Sequence, residues 1–517
     1  MTDASVEFRR TRSRWTFRLP LKKARVKETK LREELRTPRP RDMLADAPRW
    51  WLCLLLIVAP WAYGTTFPAT KDLLAVALLV LIGLFVVSLI LRGRRPRMHW
   101  LPGSITCLLV AMGWFMTWNA KLVYDPAVNY FHLVQQPLAF LPGTVDQSSS
   151  AHQMLLITGL VGAFWVVYDL AANPRWLDRV WVVMSLTGVS LIGLGIAQRV
   201  TGAPGIFWDA NLDCGTTFFA TYRYHANAGA FINLVFPLIV GRTVLALHGP
   251  SSDVSKAFWM LASLGTLAAA FINVSRASTA ITMVLTIVLF GWQLGERIRD
   301  NGPFFTKRRI SAMTILLGVG VSSLVWGIGF KDSYSHWLEL AASIATNGRF
   351  IVDAAIVQHM LRVAGFWGFG PASFWMTFPF FTALLGGRLG GFWDYAHCDY
   401  LQTLTEWGVI GASLWFVLFG SGVGRTAWMF FRFGRRWTEA MRTCAVVFLS
   451  ALTSMLVHAT VDFPLQIASL QLYAAVLLGL VTCVGHNLSS EKCKNRPKKS
   501  AASRRGSEEA RSMLPEI

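Results

Sequence analysis

An all-α polytopic membrane protein of about twelve transmembrane helices is the fold class the sequence predicts, on three observations. Charged residues make up 15% of the 517 and hydrophobic ones 53%, with mean hydropathy +0.43, whereas soluble domains carry about 25% charged residues. Apolar runs recur from Trp50 to Gly485, most near the roughly 20 residues that cross a hydrocarbon core as a helix. The 50 Lys and Arg are also shared unevenly between the connections, as the two sides of a membrane require. Together these exclude a soluble globular enzyme.

In chain order the spans fall at 50–67, 72–91, 100–118, 151–171, 180–198, 227–247, 257–274, 277–295, 310–330, 401–422, 443–462 and 467–486. With the N-terminus inside, 41 of the 50 Lys and Arg lie on the inner side and 9 outside, which predicts that both termini are cytoplasmic. The organisation expected is a basic N-terminal segment (1–49), helices one to nine (50–330), an outer loop (331–400), helices ten to twelve (401–486) and a basic tail (487–517). The net charge of +21 then resides chiefly in topology determinants that lie against anionic lipid, with no nucleic-acid partner. Residues 1–49 are basic and broken by Pro, so the first span, not a cleavable signal, is the expected insertion signal. The seven cysteines show no metal or redox spacing. Cys214 and Cys398 are the two on the outer side, either as a disulfide or as free thiols.

The 331–400 connection is the longest, and loops of that length are functional or disordered. Its composition opposes disorder. Trp337 to Ala364 has apolar residues at helical spacing, while Phe366–Trp375 and Gly386–Trp393 are aromatic and Gly-rich, a composition suited to the membrane interface. The loop is either an interfacial anchor or a lid over a membrane-level cleft.

No Asp or Glu falls near the middle of an apolar run, which weighs against an ion-coupled carrier. Polar residues gather instead at the outer ends of spans: Arg223, His225 and Asn227 before the sixth, Arg276 between the seventh and eighth, Arg349 in the long loop, His397 and Asp399 opening the tenth, and His458 and Asp462 closing the eleventh. Arg binds phosphate oxygens bidentately and stays protonated; neutral His accepts a proton at ordinary pH. That combination suits transfer from a lipid pyrophosphate, where cations hold the leaving diphosphate and a base activates the incoming hydroxyl. No acidic pair with metal-ligand spacing accompanies it, so neither metal nor cofactor is expected.

Four segments carry a resemblance: Asn347-Gly-Arg-Phe, Gly368-Phe-Gly-Pro-Ala-Ser-Phe, Ala396-His-Cys-Asp-Tyr-Leu-Gln-Thr-Leu-Thr-Glu-Trp-Gly-Val-Ile-Gly and His458-Ala-Thr-Val-Asp-Phe-Pro-Leu. They resemble the O-antigen ligase and O-antigen polymerase family of bacterial inner-membrane enzymes. Upstream, Gly215 to Phe231 and Ser275-Arg-Ala-Ser look like two further signatures, and the similarity runs from about 208 to 480. Cys398 stands where the family has Asn. The resemblance implies a GT-C-like fold acting at the periplasmic face, with an undecaprenyl-pyrophosphate-linked glycan as donor. The implied acceptor is lipid A-core for a ligase or another lipid-linked repeat unit for a polymerase. It implies that His397 is the general base and that Arg276 and Arg223, joined by Arg349, hold the pyrophosphate.

The supporting residues have plainer roles as well. Asp399 points about 200° from His397 on a helix, so it reads as a first-turn carboxylate favoured by the helix dipole. Glu406 is expected to contact an outer-face Arg or His. Arg276 otherwise caps a helix, Arg349 otherwise pairs with Asp353, and His458 and Asp462 share a helix face, either as an ion pair or as support for the site. Two readings of other classes stand beside the transferase: a transporter of lipid-linked glycans, and a non-catalytic envelope partner that tolerates loss of His397.

Overall fold

The computed structural model describes residues 40–125, 127–128, 130–211, 217–301, 348–382, 389 and 393–494. Among them, eleven helices are long and apolar enough to cross a membrane, and the chain is a multi-pass membrane protein. The expected ninth span, 310–330, lies outside the described residues.

The first eight helices are α1 (Pro40–Trp61), α2 (Pro68–Arg92), α3 (Trp100–Trp118), α4 (Gln147–Leu170), α5 (Pro174–Val200), α6 (His225–His248), α7 (Asp253–Ile272) and α8 (Arg276–Asn301). After them come α9 (Gly348–Ala355), a π-helical turn at Ile356–Met360, short helical turns at Leu361–Ala364, Phe374–Thr377 and Pro379–Thr382, then α10 (Asp399–Phe433), α11 (Glu439–His458) and α12 (Ala468–Lys494). Local chemistry fixes many of the starts. The side chains of Asp146, Asn173, Ser252 and Thr438 accept hydrogen bonds from first-turn amides, satisfying donors that a helix leaves open, and Pro68 and Pro174 occupy first helical positions. The all-α expectation misses one feature, an antiparallel hairpin of β1 (Leu122–Asp125) and β2 (Tyr130–Leu133) with Tyr124 opposite Phe131.

Among the described residues the most buried spans are α12 (89%), α4 and α6 (72% each), and the least buried is α8 (28%). Helix α6 packs on α5, α7, α8 and α11; α12 packs on α4, α10 and α11. Small residues permit this closeness. A Cβ added to Gly188 of α5 would lie 2.8 Å from the Val235 side chain of α6.

Helix α10 is interrupted at Gly408 (φ +62°), roughly 14 Å from its start at ~1.5 Å per residue. An unbroken helix would bond Val409 N–H to Thr405 C=O and Ile410 N–H to Glu406 C=O. Those four groups instead serve the 365–370 segment: Thr405 and Glu406 carbonyls accept from Phe369 and Gly370 amides (2.9 and 2.8 Å), and Val409 and Ile410 amides donate to Gly365 and Phe366 carbonyls (3.3 and 3.1 Å). The Glu406 carboxylate adds acceptors for the Ala372 and Phe374 amides (3.1 and 3.4 Å) and for Gln402 Nε2 (3.0 Å). Irregular backbone among membrane helices must be satisfied by protein, and here the exchange is reciprocal. The expectation of an interfacial 366–375 segment is corrected in part: Phe366 and Trp367 are exposed, while Ser373 and Phe374 are buried. Glu406 is corrected too, since its partners are backbone amides and Gln402 and not an Arg or His.

One end of the bundle gathers the irregular connections. Val145 N–H donates to Phe369 C=O and Asp399 N–H to Ala459 C=O (both 2.9 Å), and Arg349 reaches Tyr224. The 119–146, 217–224, 348–374, 393–398 and 459–467 segments therefore share a face, where the polar residues collect.

Candidate functional site

Helix α11 ends at His458, four residues earlier than the sequence suggests. Pro464 disfavours helical geometry at Phe463, and the chain turns, with Asp462 N–H still bonded to His458 C=O (3.1 Å). The expected shared helix face of His458 and Asp462 is thereby corrected, and no ion pair joins them. His458 is buried beside Asn233 (Nδ1 to Nδ2, 3.4 Å), whereas Asp462 turns toward a cluster built from four separate segments.

Asp462 is the hub of that cluster, its side chain 2% exposed. Its Oδ2 lies 3.5 Å from Arg349 Nη1 and accepts from the Tyr224 hydroxyl at 3.4 Å; its Oδ1 lies 3.3 Å from His397 Nδ1. Arg349 also donates to the Tyr224 hydroxyl and to Val461 C=O (3.3 Å). The expected pairing of Arg349 with Asp353 is thus replaced by Asp462. The His397 contact is at ion-pair distance but Nδ1 makes no aligned hydrogen bond, as is common in sites that tighten on substrate binding.

The segments carrying His397 and Asp462 are held together by Asp399, which accepts from Leu465 N–H (2.8 Å) and Gln466 Nε2 (2.9 Å). Phe463 stacks on Tyr395 (4.5 Å) and Tyr224 (5.6 Å) and meets the His397 ring edge-on (4.8 Å). Trp393 also packs at right angles to that ring, at 5.3 Å. His397 itself sits at φ +56°, a left-handed conformation that costs about 1–3 kcal/mol in a non-glycine residue and is retained where the surroundings enforce it.

Electrostatics follow from this packing. Burial would raise the Asp462 carboxyl, but nearby His397 and the Arg349 charge outweigh it and hold the group below its usual range. Burial and the Asp462 charge push the Tyr224 phenol up, opposed by Arg349 and Arg276, so Tyr224 is a neutral donor. With Asp462 facing Nδ1, the tautomer favoured places the proton there and leaves Nε2 as the basic atom.

Of the remaining expected residues, Arg276 opens α8 and its charge reaches the Tyr224 hydroxyl. Arg223 is exposed and stands over the Phe67 ring at 5.2 Å, whereas its neighbour Tyr224 joins the Asp462 cluster. His225 opens α6 with its ring 4.7 Å from Tyr224 and its carbonyl bonded to Asn273 (2.8 Å), and Asn227 is buried two residues on. Cys398 carries a free thiol, while Cys214 lies outside the described residues. Sequence reasoning missed Tyr224 and Phe463, although both lie inside the segments that carry the resemblance, and gave Asp353 only as a partner for Arg349. It also missed a buried polar seam in which Asn233 accepts from Thr282 (2.6 Å) and, through its carbonyl, from Ser454 (3.1 Å). Among the described residues no group of three His, Cys, Asp or Glu is arranged to hold a metal ion. Comparison with protein-family models, curated proteins and solved structures finds no match to this chain.

Proposed function

We propose that this protein is a membrane glycan transferase that moves an oligosaccharide or polysaccharide from an undecaprenyl-pyrophosphate donor to an acceptor hydroxyl at the outer face of a bacterial inner membrane, in the manner of an O-antigen ligase. The observation that carries the reading is the meeting of Arg349, His397, Asp462 and Tyr224, from segments up to 238 positions apart, at one end of a membrane bundle. His397 Nε2 takes the proton of the acceptor hydroxyl. The oxygen attacks the anomeric carbon, and the bond from that carbon to the phosphate oxygen breaks with inversion. Undecaprenyl pyrophosphate leaves with the electron pair, its charge met by Arg349 and Arg276. Asp462 steadies the imidazolium, and the Tyr224 hydroxyl bridges Arg349 and Asp462. A polymerase uses the same groups with a lipid-linked repeat unit as acceptor.

Purified protein in nanodiscs, given an undecaprenyl-pyrophosphate oligosaccharide and candidate acceptors, should release undecaprenyl pyrophosphate and a glycosylated product. His397→Ala should lower turnover by about 10²–10⁴-fold, the usual contribution of a positioned base. Undiminished turnover in that variant rejects the base assignment. The Asn233, Thr282, Ser454 and His458 seam lies deep among the spans, where a transporter would place its polar groups; lipid-linked glycan crossing a vesicle without any transfer would select that reading.

A further inference from the structure

Positions 471, 474, 475 and 478 of α12 recur at helical spacing and so share one face. That face, with residues from Gln153 to Phe164 of α4, walls a cavity of about 280 Å³ that α3, α10 and α11 complete. Among the described residues its wall takes nothing from α6 or α9, the helices at whose starts Tyr224 and Arg349 meet Asp462. The stretch from Gln153 to Phe164 covers about 16 Å at ~1.5 Å per residue, so the volume is drawn out into a slot parallel to the helices.

The two ends of the slot differ in chemistry. Toward the site face stand Gln153, Asp399, Glu406, Gln466 and Gln471; toward the other end stand Phe164, Phe419 and Leu478. The two carboxyl groups are already occupied, Asp399 by Leu465 N–H and Gln466, Glu406 by Gln402 and the Ala372 and Phe374 amides. Gln471 is only half satisfied: Nε2 donates to Leu465 C=O (2.6 Å), while the buried Oε1 has no hydrogen-bond partner and nothing offsets its desolvation. Among the described residues no Arg, Lys or His lines the slot, so a phosphate or carboxylate head would lose its water there and meet no cation. Along α10 the wall reaches the surface. Phe416 is 41% exposed, and a Cβ added to the exposed Gly420 would meet no atom within 4 Å, which leaves a sideways entry from the bilayer.

We infer that this slot binds the single linear acyl chain of an uncharged, hydroxyl-headed lipid of the monoacylglycerol class, with the chain lying along α4 and α12 and the head hydroxyl donating to Gln471 Oε1. An apolar cavity takes an apolar guest, and a few placed polar groups fix its orientation. The narrowness of the slot selects one unbranched chain, and the lack of a cation selects a neutral head. The site is separate from the proposed chemistry and does not depend on it.

The test uses the full chain in nanodiscs and a 1-monoacylglycerol whose linear chain carries a diazirine near its tip. Irradiation should label Phe164, Phe419 or Leu478, and unlabelled monolaurin should compete about tenfold better than dodecyl phosphate or farnesol. Gln471→Leu removes the acceptor and should weaken binding about three- to tenfold. Ala475→Phe puts a ring into the slot and should abolish labelling there; if its melting temperature shows that it does not fold, Gln471→Leu decides alone. Labels confined to the exposed Val409 and Val417 overturn the site. Equal competition by dodecyl phosphate overturns the neutral head, equal or better competition by farnesol overturns the linear chain, and undiminished affinity in Gln471→Leu overturns the hydroxyl contact. None of these readouts requires transfer.

Discussion

Asp462 has the least freedom of any residue in the cluster, because Arg349, His397 and Tyr224 all converge on one nearly inaccessible carboxylate. Asp462→Asn keeps the shape and removes the charge, and is expected to cut transfer by about 100-fold, the low end of a base's contribution, with the loss in kcat. Tyr224→Phe removes the hydrogen bonds the hydroxyl makes to Asp462 and Arg349 and should cost about tenfold or somewhat more; a loss beyond about 100-fold would mean the hydroxyl touches substrate. The two carboxyls also give opposite pH signatures. Asp462 is held below its unfolded value, so its stabilisation is complete above about pH 4 and is lost as pH falls through the lower folded value. Asp353 is raised to about 6 from 3.8, so the folded state binds the extra proton and its stability declines as pH rises between those values. Melting curves at pH 5 and pH 8 should therefore converge in Asp353→Asn relative to wild type, and an unchanged gap would count against the raised value.

At the scale of elements, the interruption of α10 is what places the loop. Gly408 has φ +62°, and a Cβ there would lie 2.3 Å from Phe366 C=O; Gly368 faces it with φ +77° and a Cβ 2.4 Å from Glu406 C=O. Only glycine permits both the left-handed backbone and the close approach. Gly408→Ala should lower the melting temperature and reduce transfer through displacement of the 365–374 segment, with no shift in pH optimum. Glu406→Gln keeps one acceptor for the Ala372 and Phe374 amides and should be milder than Glu406→Ala, which leaves both unsatisfied at about 1–3 kcal/mol each. Equal melting temperatures for the two variants would show that the clamp is not the side chain's role. The string Glu406-Trp-Gly-Val-Ile-Gly thus has a structural reading: it is the sequence of a helix that opens to accept a loop.

For the whole molecule, the bundle's two ends make a testable pair. In a cysteine-free background, Leu133→Cys and Thr460→Cys should react with a membrane-impermeant maleimide in intact cells, and Ser252→Cys and Arg435→Cys only after permeabilisation. Reactivity divided within either pair would break the shared-face arrangement, and the reverse pattern would place the site face in the cytoplasm.

The approximate positions of the eleven described spans follow from composition, because an apolar stretch of membrane length is stable in lipid as a helix; the expected 100–118 and 227–247 spans differ from α3 and α6 by two residues or fewer, whereas the expected 50–67 span is Pro40–Trp61. Helix ends were read less well: the expected spans begin at 151 and 180 although Asp146 and Asn173 cap helices that start at Gln147 and Pro174, and the stop at His458 depends on Pro464 and on contacts made by Asp462. Most of the polar residues of the site were legible as types, since Arg, His and Asp at helix ends are costly and few. Their grouping was not. Arg223 and Tyr224 are neighbours in sequence and take different partners, while Tyr224 and Asp462 are 238 positions apart and bond. Periodicity determines which residues share a face of one helix; only the packing of α6, α9, α10 and α11 decides which faces meet, because distant contacts are set by the shapes of buried side chains and not by spacing along the chain.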